Sequence, residues 1–142
     1  MSSHAHAYLS RTGVGLVLAA VAVNDVGIRY EPDFAMLLPL PANPASVGQA
    51  VLETLSRYCR RDRNLRGIKK TECPAFLASG LSSVRAFEHD FSFVALEQDD
   101  RRLTMTRYEQ NHAAADSVHL PAAYSAEDIG LCLLQMVQKV GL

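Results

Sequence analysis

The pattern of hydrophobic and polar positions predicts two similar amphipathic helices, each preceded by a short strand and a turn. Residues 43–55 and 125–137 align at a constant offset of 82 positions. In both segments the apolar residues recur at helical spacing on one face. The matched positions are Val47 with Ile129, Gly48 with Gly130, Val51 with Leu133, Leu52 with Leu134 and Leu55 with Val137. This repeat predicts two similar strand-to-helix units that frame the fold.

Residues at the ends of the two segments predict where these helices begin and end. Asn43 can accept hydrogen bonds from the first helical turn, and Pro44 suits the first helical position. Ser125 and Asp128 resemble a capping box, and Gly141 is expected to end the second helix. A glycine one turn inside a helix costs about 1 kcal/mol relative to alanine. Its presence in both units therefore predicts that each helix approaches the sheet closely.

Apolar and alternating runs predict the strands. Residues 16–23 form an uninterrupted apolar run, which predicts a strand buried on both faces. Residues 91–98 and 102–110 lie on either side of Asp99-Asp100-Arg101 and predict a hairpin. Shorter strands are predicted at residues 4–10, 27–30, 35–40 and 117–120, and a polar loop is predicted at 111–116.

The order of these elements predicts an α+β fold. A short middle helix is expected at residues 74–81, ended by Gly80, whereas residues 83–87 fit either a helical turn or the start of a strand. A mainly antiparallel sheet would then be covered by the two similar helices and the short middle helix. Because no linker or low-complexity tract divides the 142 residues, we expect one domain over residues 1–142.

Cysteine usage and the length of the apolar runs point to a cytoplasmic protein. Cys59, Cys73 and Cys132 are irregularly spaced and form neither a disulfide framework nor a CxxC pair. The longest uncharged apolar stretch, residues 13–23, is shorter than the roughly 20 residues that a bilayer requires. It also fits the apolar region of a signal peptide, but a buried strand is favoured because a turn and a second strand-like run follow directly. We expect no membrane association.

The net charge of −1 conceals an uneven distribution. Residues 57–70 contain seven basic residues and one acidic residue, a balance of +6, so the rest of the chain carries −7. This arrangement implies that different faces suit different partners. The favoured candidate contacts lie in and around the hairpin: Glu88, Asp90, Glu97, Asp99 and Asp100. The alternative contacts lie in the basic segment: Arg60, Arg61, Arg63 and Arg66.

The basic segment has three interpretations: a solvated loop, a protein-contact patch or a nucleic-acid site. Seven positive charges could contact phosphates. However, the segment contains no aromatic residue other than Tyr58, so it offers no stacking platform, and the acidic body would repel a polyanion. We therefore do not expect nucleic acid to be the partner.

The chain lacks the residue constellations that support catalysis. His4 and His6 would share one face of a strand, but no spacing supplies the remaining ligands of a metal site. Gly13-Val14-Gly15 lacks both the third glycine and the Gly-Lys-Ser/Thr sequence of phosphate loops. A nucleophilic cysteine requires a histidine and an orienting group, which the sequence does not place beside Cys59, and Cys132 fits a helix core. We predict no enzyme activity, no catalytic residue, no metal and no cofactor.

Several of these segments together resemble one class of contact-dependent growth inhibition immunity proteins. They are the turn–helix units 44–55 and 125–134, the stretch 79–87 and the hairpin 91–110, and the resemblance covers about residues 35–140. The chain departs from the family pattern at Val84, where an aromatic residue is common, and in a short loop after the hairpin.

The resemblance implies a cytoplasmic, non-enzymatic protein that binds the C-terminal toxin domain of a cognate effector. Such proteins commonly block the active site of a nuclease, and basic nucleases would suit the acidic body. Two alternatives stay open. One is a module that binds nucleic acid or an acidic partner through residues 57–70, and the other is a small enzyme of another kind.

Overall fold

A six-stranded sheet, a small three-stranded sheet and four helices make up the part of the chain that the computed structural model describes, residues 2–109 and 113–140. The strands are β1 (Ser3–Ser10), β2 (Gly15–Ala20), β3 (Ala22–Val23), β4 (Arg29–Tyr30), β5 (Ala35–Pro39), β6 (Cys59–Arg60), β7 (Phe91–Gln98), β8 (Arg102–Tyr108) and β9 (Ala114–Pro121). The helices are α1 (Pro44–Ser56), α2 (Pro74–Ser79), α3 (Val84–Asp90) and α4 (Ala126–Val140), and a 3-10 turn spans Lys70–Glu72.

The large sheet has the strand order β5–β2–β1–β7–β8–β9, and every neighbouring pair is antiparallel. Because side chains alternate along a strand, β1 directs Ala5, Ala7 and Leu9 to one face of the sheet and the residues between them to the other. The small sheet has the order β4–β3–β6, with β3 and β6 parallel.

Helices α1 and α4 cover the apolar face of the sheet. Their buried side chains pack against those of β1, β2, β7 and β8 in one continuous core. Leu9, Leu103, Met105, Ile129 and Leu133 are completely buried in it. This core fixes the side of the sheet that faces away from solvent, so recognition must use other surfaces.

Glycines allow the two long helices to cross backbone against backbone. A Cβ atom added at Gly48 would lie well under 3.0 Å from the backbone of Ala126, and one added at Gly130 would lie equally close to the backbone of Pro44. Each glycine therefore faces the first residue of the opposite helix. The close approach that the repeat predicts is thus between the two helices, and the predicted helix-to-sheet approach is wrong.

Helices α2 and α3 cover only one part of the second face. Phe76 from α2 and Phe87 from α3 pack with Val17 and Ala19 of β2 and with Phe91 at the start of β7. Ser83 begins α3, because its hydroxyl accepts a hydrogen bond from the Ala86 amide, 3.1 Å away. Of the ambiguous residues 83–87, Ser83 is therefore the extended cap and residues 84–87 are helical.

The predicted α+β fold, with an antiparallel sheet and two similar helices, is confirmed, and so are the helix starts. The Asn43 side chain accepts from the amides of Ala45 and Ser46 at 2.9 and 3.3 Å. The Ser125 amide donates to Asp128 Oδ2 at 2.9 Å, and the Asp128 amide donates to Ser125 Oγ at 3.1 Å. Gly141, the predicted helix stop, lies outside the described residues.

Several predicted boundaries are wrong. The run at residues 16–23 divides between β2 in the large sheet and β3 in the small sheet, because the chain leaves the first sheet after residue 20. The predicted strand 27–30 is only Arg29–Tyr30, and the basic segment, predicted as a helix end and loop, contributes β6. Strand β9 begins at Ala114, inside the predicted loop 111–116, because it pairs with β8 from Tyr108 onward.

Candidate binding site

A groove runs along the second face of the sheet beside α3, where α2 and α3 leave the strands uncovered. Its cavity volume is about 1090 Å³. Strands β1, β7 and β8 provide the floor, and α3 together with the segment from Lys70 to Phe76 provides the walls. This size is at the upper end of the range that small-molecule sites occupy in proteins, roughly 300 to 1000 Å³.

Six phenylalanine and tyrosine rings line this groove, and four of them form a connected series. The ring centroid of Tyr8 lies 5.4 Å from that of Phe93 and 5.3 Å from that of Phe87. The rings of Phe93 and Tyr108 are stacked, with centroids 5.8 Å apart and an interplanar angle of 29°. These separations are within the range of favourable aromatic pairs. The groove therefore has a continuous aromatic floor contributed by β1, β7, β8 and α3.

None of these rings is among the residues predicted to form a site. A signal was present, however, because Tyr8, Phe93 and Tyr108 lie an odd number of strand positions from Leu9, Val94 and Met105, which belong to the other face. Aromatic residues on the face that the main core does not use are a sequence pattern that points to a second packed or binding surface.

The carboxylate of Glu31 is almost completely buried and connects elements that surround the groove. Its side chain is only 5% exposed. Oε2 accepts from His6 Nδ1 at 2.7 Å and from the Tyr8 hydroxyl at 2.5 Å. Oε1 accepts from Cys73 Sγ at 3.2 Å and from the Ala75 amide at 3.1 Å. Glu31 thus ties β1 to the start of α2 and fixes the Tyr8 ring in the groove.

The Glu31 network keeps its groups in defined protonation states. Burial alone raises the pKa of the Glu31 carboxyl, but hydrogen bonds from His6, Tyr8 and Cys73 outweigh it and leave this pKa below its usual value. Burial and the adjacent Glu31 charge raise the pKa of Cys73 to about 11 and that of Tyr8 well above its usual value. Glu31 is therefore an anion at neutral pH, and the Cys73 thiol and Tyr8 phenol are neutral donors, not nucleophiles.

The charged residues at the rim of the groove are unequally paired. Lys70 Nζ lies 3.2 Å from Glu88 Oε2, and Arg107 lies 3.4 Å from Glu109. By contrast, Arg11 and Arg85 form no ion pair with any residue that the structure describes. Nε of Arg11 is buried and has no hydrogen-bond partner within residues 2–109 and 113–140. Within the part of the chain that the structure describes, the rim therefore carries two guanidinium groups that are not engaged in an ion pair.

A smaller polar cavity of about 280 Å³ adjoins the groove and shares Phe93 and Tyr108 with it. His4, His6 and Arg29 line it, and burial together with the Arg29 charge lowers the pKa of His4. His4 Nε2 is 4.0 Å from Glu97. Among the described residues, no group of three or more histidine, cysteine or acidic side chains has a geometry that could hold a metal ion.

The structure separates the predicted acidic contacts into two groups. Glu88 and Asp90 lie in α3 at the start of β7, where Ser10 Oγ donates to Asp90 at 3.2 Å. Glu97, Asp99 and Asp100 lie at the far end of β7. At the rise per residue of an extended strand, the length of β7 separates the two groups by about 23 Å. The five predicted acidic residues therefore do not form one surface.

Asp99 also has a structural role in the hairpin turn. Its Oδ1 accepts from the amides of Arg101 and Arg102 at 2.8 and 2.9 Å, and these hydrogen bonds lower the pKa of its carboxyl. Arg101 and Arg102 adjoin the three acidic residues, so the turn is less acidic than the positions of the acids alone indicate. Asp100 is exposed and makes no such contacts with the described residues.

The predicted basic contacts are partly neutralised by acids from another part of the chain. Arg60 lies 3.3 Å from Asp25, and Arg61 lies 3.0 Å from Asp33. Arg63 donates to the carbonyl of Pro32 at 3.3 Å, and the exposed Arg66 forms no ion pair with the described residues. These contacts reduce the positive potential that a phosphate backbone would meet.

Comparison with solved structures identifies the class of fold. The chain is similar to a protein of unknown function from Neisseria meningitidis, with a TM-score of 0.72 and 18% identity, over 100% of this chain and 94% of that one. It is also similar to a chain of the CdiA-CT/CdiI toxin and immunity complex from Yersinia pseudotuberculosis, with a TM-score of 0.68 and 14% identity, over 99% of this chain and 97% of that one. The two TM-scores establish a shared fold.

Comparisons of the sequence with protein families and with curated proteins do not assign the chain to a family. No protein-family model and no curated protein matches the chain. In the described part of the structure, no helix has the length and apolar composition needed to cross a membrane.

Proposed function

We propose that this protein is an immunity protein that binds the C-terminal toxin domain of a contact-dependent growth inhibition effector and neutralises it without catalysing a reaction. The supporting observation is the fold that the chain shares, over 99% of its length, with a chain of a toxin and immunity complex. The likeness also covers 97% of that chain, so neither protein contributes only a fragment to the match.

We further propose that the toxin is a nuclease, that the complex forms in the cytoplasm and that binding blocks the toxin's active site. The charge distribution supports this proposal. Outside residues 57–70 the chain carries −7, and nucleic-acid enzymes present basic surfaces to their substrates. Complementary charge would accelerate association with such a partner and favour it over acidic competitors.

The hairpin end with Glu97, Asp99 and Asp100 is the proposed contact surface. These three carboxylates belong to one turn and its adjoining strand end, whereas Glu88 and Asp90 lie at the opposite end of the same strand. Asp100 is the most informative position for mutation, because the Asp99 side chain accepts hydrogen bonds from the backbone amides of the turn and its replacement would also disturb the turn. The basic set Arg60, Arg61, Arg63 and Arg66 is the alternative contact surface.

The decisive test uses the C-terminal domain of a large effector encoded directly upstream of this protein, and a gene neighbourhood without such an effector would count against the immunity role. We expect the two purified domains to form a stoichiometric complex and the immunity protein to abolish degradation of RNA or DNA by the toxin in vitro. Expression of the chain should also protect cells that produce the toxin domain. A toxin domain that binds but keeps its full activity would refute the blocking mechanism, and the absence of binding would refute the immunity role.

Charge-reversal variants test the contact surface separately. Asp100→Lys should slow association by about threefold to tenfold at low ionic strength, with a smaller effect at high salt. Glu53→Lys is a matched control, because Glu53 is an exposed α1 residue and its reversal changes the net charge by the same amount. Equal rates for both variants would exclude the hairpin surface. Arg66→Glu tests the alternative surface in the same assay, and a parallel titration with RNA and DNA at physiological salt tests nucleic-acid binding.

A further inference from the structure

We propose that the aromatic groove is a ligand site for a planar aromatic anion, for which a mononucleotide is the model compound. This inference does not depend on the immunity role, because it rests on the chemistry of the groove alone. The groove combines an aromatic floor with two guanidinium groups at its rim, Arg11 and Arg85, that form no ion pair with the described residues.

The aromatic floor of the groove would bind the planar ring of the ligand. Phe93 and Tyr108 are already stacked on each other and remain only partly buried, so part of their ring surface stays accessible in the groove. Stacking of a base on an aromatic side chain is favourable for every base, since each base has a π face. Tyr8 continues this surface, and its hydroxyl is already bound to Glu31, which keeps its ring in place without a ligand.

The arginines at the rim of the groove would bind the anionic group of the ligand. The acids that line the groove, Glu88 and Glu109, are each paired with a cation, Lys70 and Arg107 respectively. Arg11 and Arg85 line the same cavity without such a pair among the described residues, and Nε of Arg11 is a buried donor without an acceptor there. A phosphate or carboxylate group in the cavity would pair with the exposed Arg85 and with the part of the Arg11 guanidinium that lines it, and guanidinium groups match the geometry of such anions.

The basic segment and the groove therefore offer different chemistry. The guanidinium groups of residues 57–70 partly pair with Asp25 and Asp33, and only one aromatic residue lies in that segment. In the groove, the aromatic rings come from five separate elements, and Arg11 and Arg85 line a cavity of about 1090 Å³. This volume is sufficient for a base, a sugar and a phosphate.

The test is a calorimetric titration of the full chain with adenosine monophosphate, adenosine and inorganic phosphate, supported by ¹H–¹⁵N spectra that resolve the arginine Nε–Hε signals. We expect saturable binding of the nucleotide, with shifts of the Arg11 and Arg85 signals. Adenosine and phosphate, which each lack one half of the ligand, should bind at least about tenfold more weakly. Arg85→Gln should weaken nucleotide binding by about tenfold, whereas the matched control Arg101→Gln, at the distant hairpin turn, should leave it unchanged.

Three results would overturn the proposal: no saturable binding of the nucleotide at millimolar concentration, equal affinity for adenosine and the nucleotide, or equal losses in Arg85→Gln and Arg101→Gln. Phe93→Leu tests the floor independently of charge, and its melting temperature shows whether it folds. Because Arg85 is exposed, Arg85→Gln keeps the proposal testable if Phe93→Leu does not fold. Loss of nucleotide binding in these variants with unchanged toxin neutralisation would separate the two functions.

Discussion

Replacement of Gly48 by alanine is expected to destabilise the protein, although alanine is the better helix former. The added Cβ would meet the carbonyl oxygen, carbonyl carbon and Cα of Ala126, all closer than real Cβ contacts allow. These are backbone atoms, so no change of rotamer can relieve the overlap, and helices α1 and α4 must move apart. Such a movement disturbs the main core, in which both helices pack on the sheet.

The magnitude follows from two opposing terms. Alanine improves the helix by about 1 kcal/mol relative to glycine. Overpacking in a dense core destabilises by about 1 to 3 kcal/mol, and the upper end applies here because the backbone itself must shift. We therefore expect a net loss of about 2 kcal/mol and, for a chain of this size, a decrease in melting temperature of about 6 to 8 °C.

The assay is thermal and urea unfolding of wild type and variants, followed by circular dichroism. Gln49→Ala is the matched control, since Gln49 is the exposed neighbour of Gly48 in the same helix, and it should leave stability nearly unchanged. The double variant Gly48→Ala/Gly130→Ala should lose less than the sum of the single losses, because one separation of the helices accommodates both methyl groups. A Gly48→Ala protein as stable as wild type would refute the proposed helix contact.

Two further predictions concern the Glu31 network. Glu31→Gln should lower stability at pH 7 by about 2 to 3 kcal/mol, because the amide cannot accept from all the donors that the carboxylate binds. Folding lowers the pKa of the Glu31 carboxyl, so the ionised side chain contributes its full stabilisation above the unfolded-state pKa of about 4.3 and loses it as the pH falls through the folded-state pKa. The stabilities of wild type and Glu31→Gln should therefore converge in acid. A stability difference that does not change with pH would contradict this prediction. The Cys73 thiol, with a pKa of about 11, should react with iodoacetamide at pH 7.5 much more slowly than the exposed Cys59, as measured by peptide mass spectrometry; faster labelling of Cys73 would contradict its position in the network.

Local sequence signals predicted the helix starts, whereas the glycine contact needed the three-dimensional arrangement. Asn43 and Ser125 act on amides two or three residues away, so their role follows from the sequence alone. Gly48 and Gly130 were recognisable as unusual, but the identity of their neighbours depends on how α1 and α4 cross. The prediction of a close approach was therefore useful, and its assignment to the sheet was wrong.

The candidate site was harder to predict because its residues are distant in the sequence. The four donors to Glu31 lie 25, 23, 42 and 44 positions away from it. A single glutamate after a two-residue strand carries no periodic pattern, and its burial depends on the packing of α2 against β1 and β2. Conversely, the clusters of like charge that are most visible in the sequence are the ones that the fold partly neutralises, as in the pairs Arg60–Asp25 and Arg61–Asp33.

The covering of the sheet restricts where binding can occur. Helices α1 and α4 seal one face, and their backbone contact at the two glycines leaves no room for a ligand between them. Helices α2 and α3 cover the β2 side of the other face, so the open surface extends over β1, β7 and β8. Glu31 sits where the covered and open parts meet and holds Tyr8 at that boundary. Because binding to a preformed surface avoids the entropy of ordering it, the Glu31 network should favour recognition at the groove without touching the ligand.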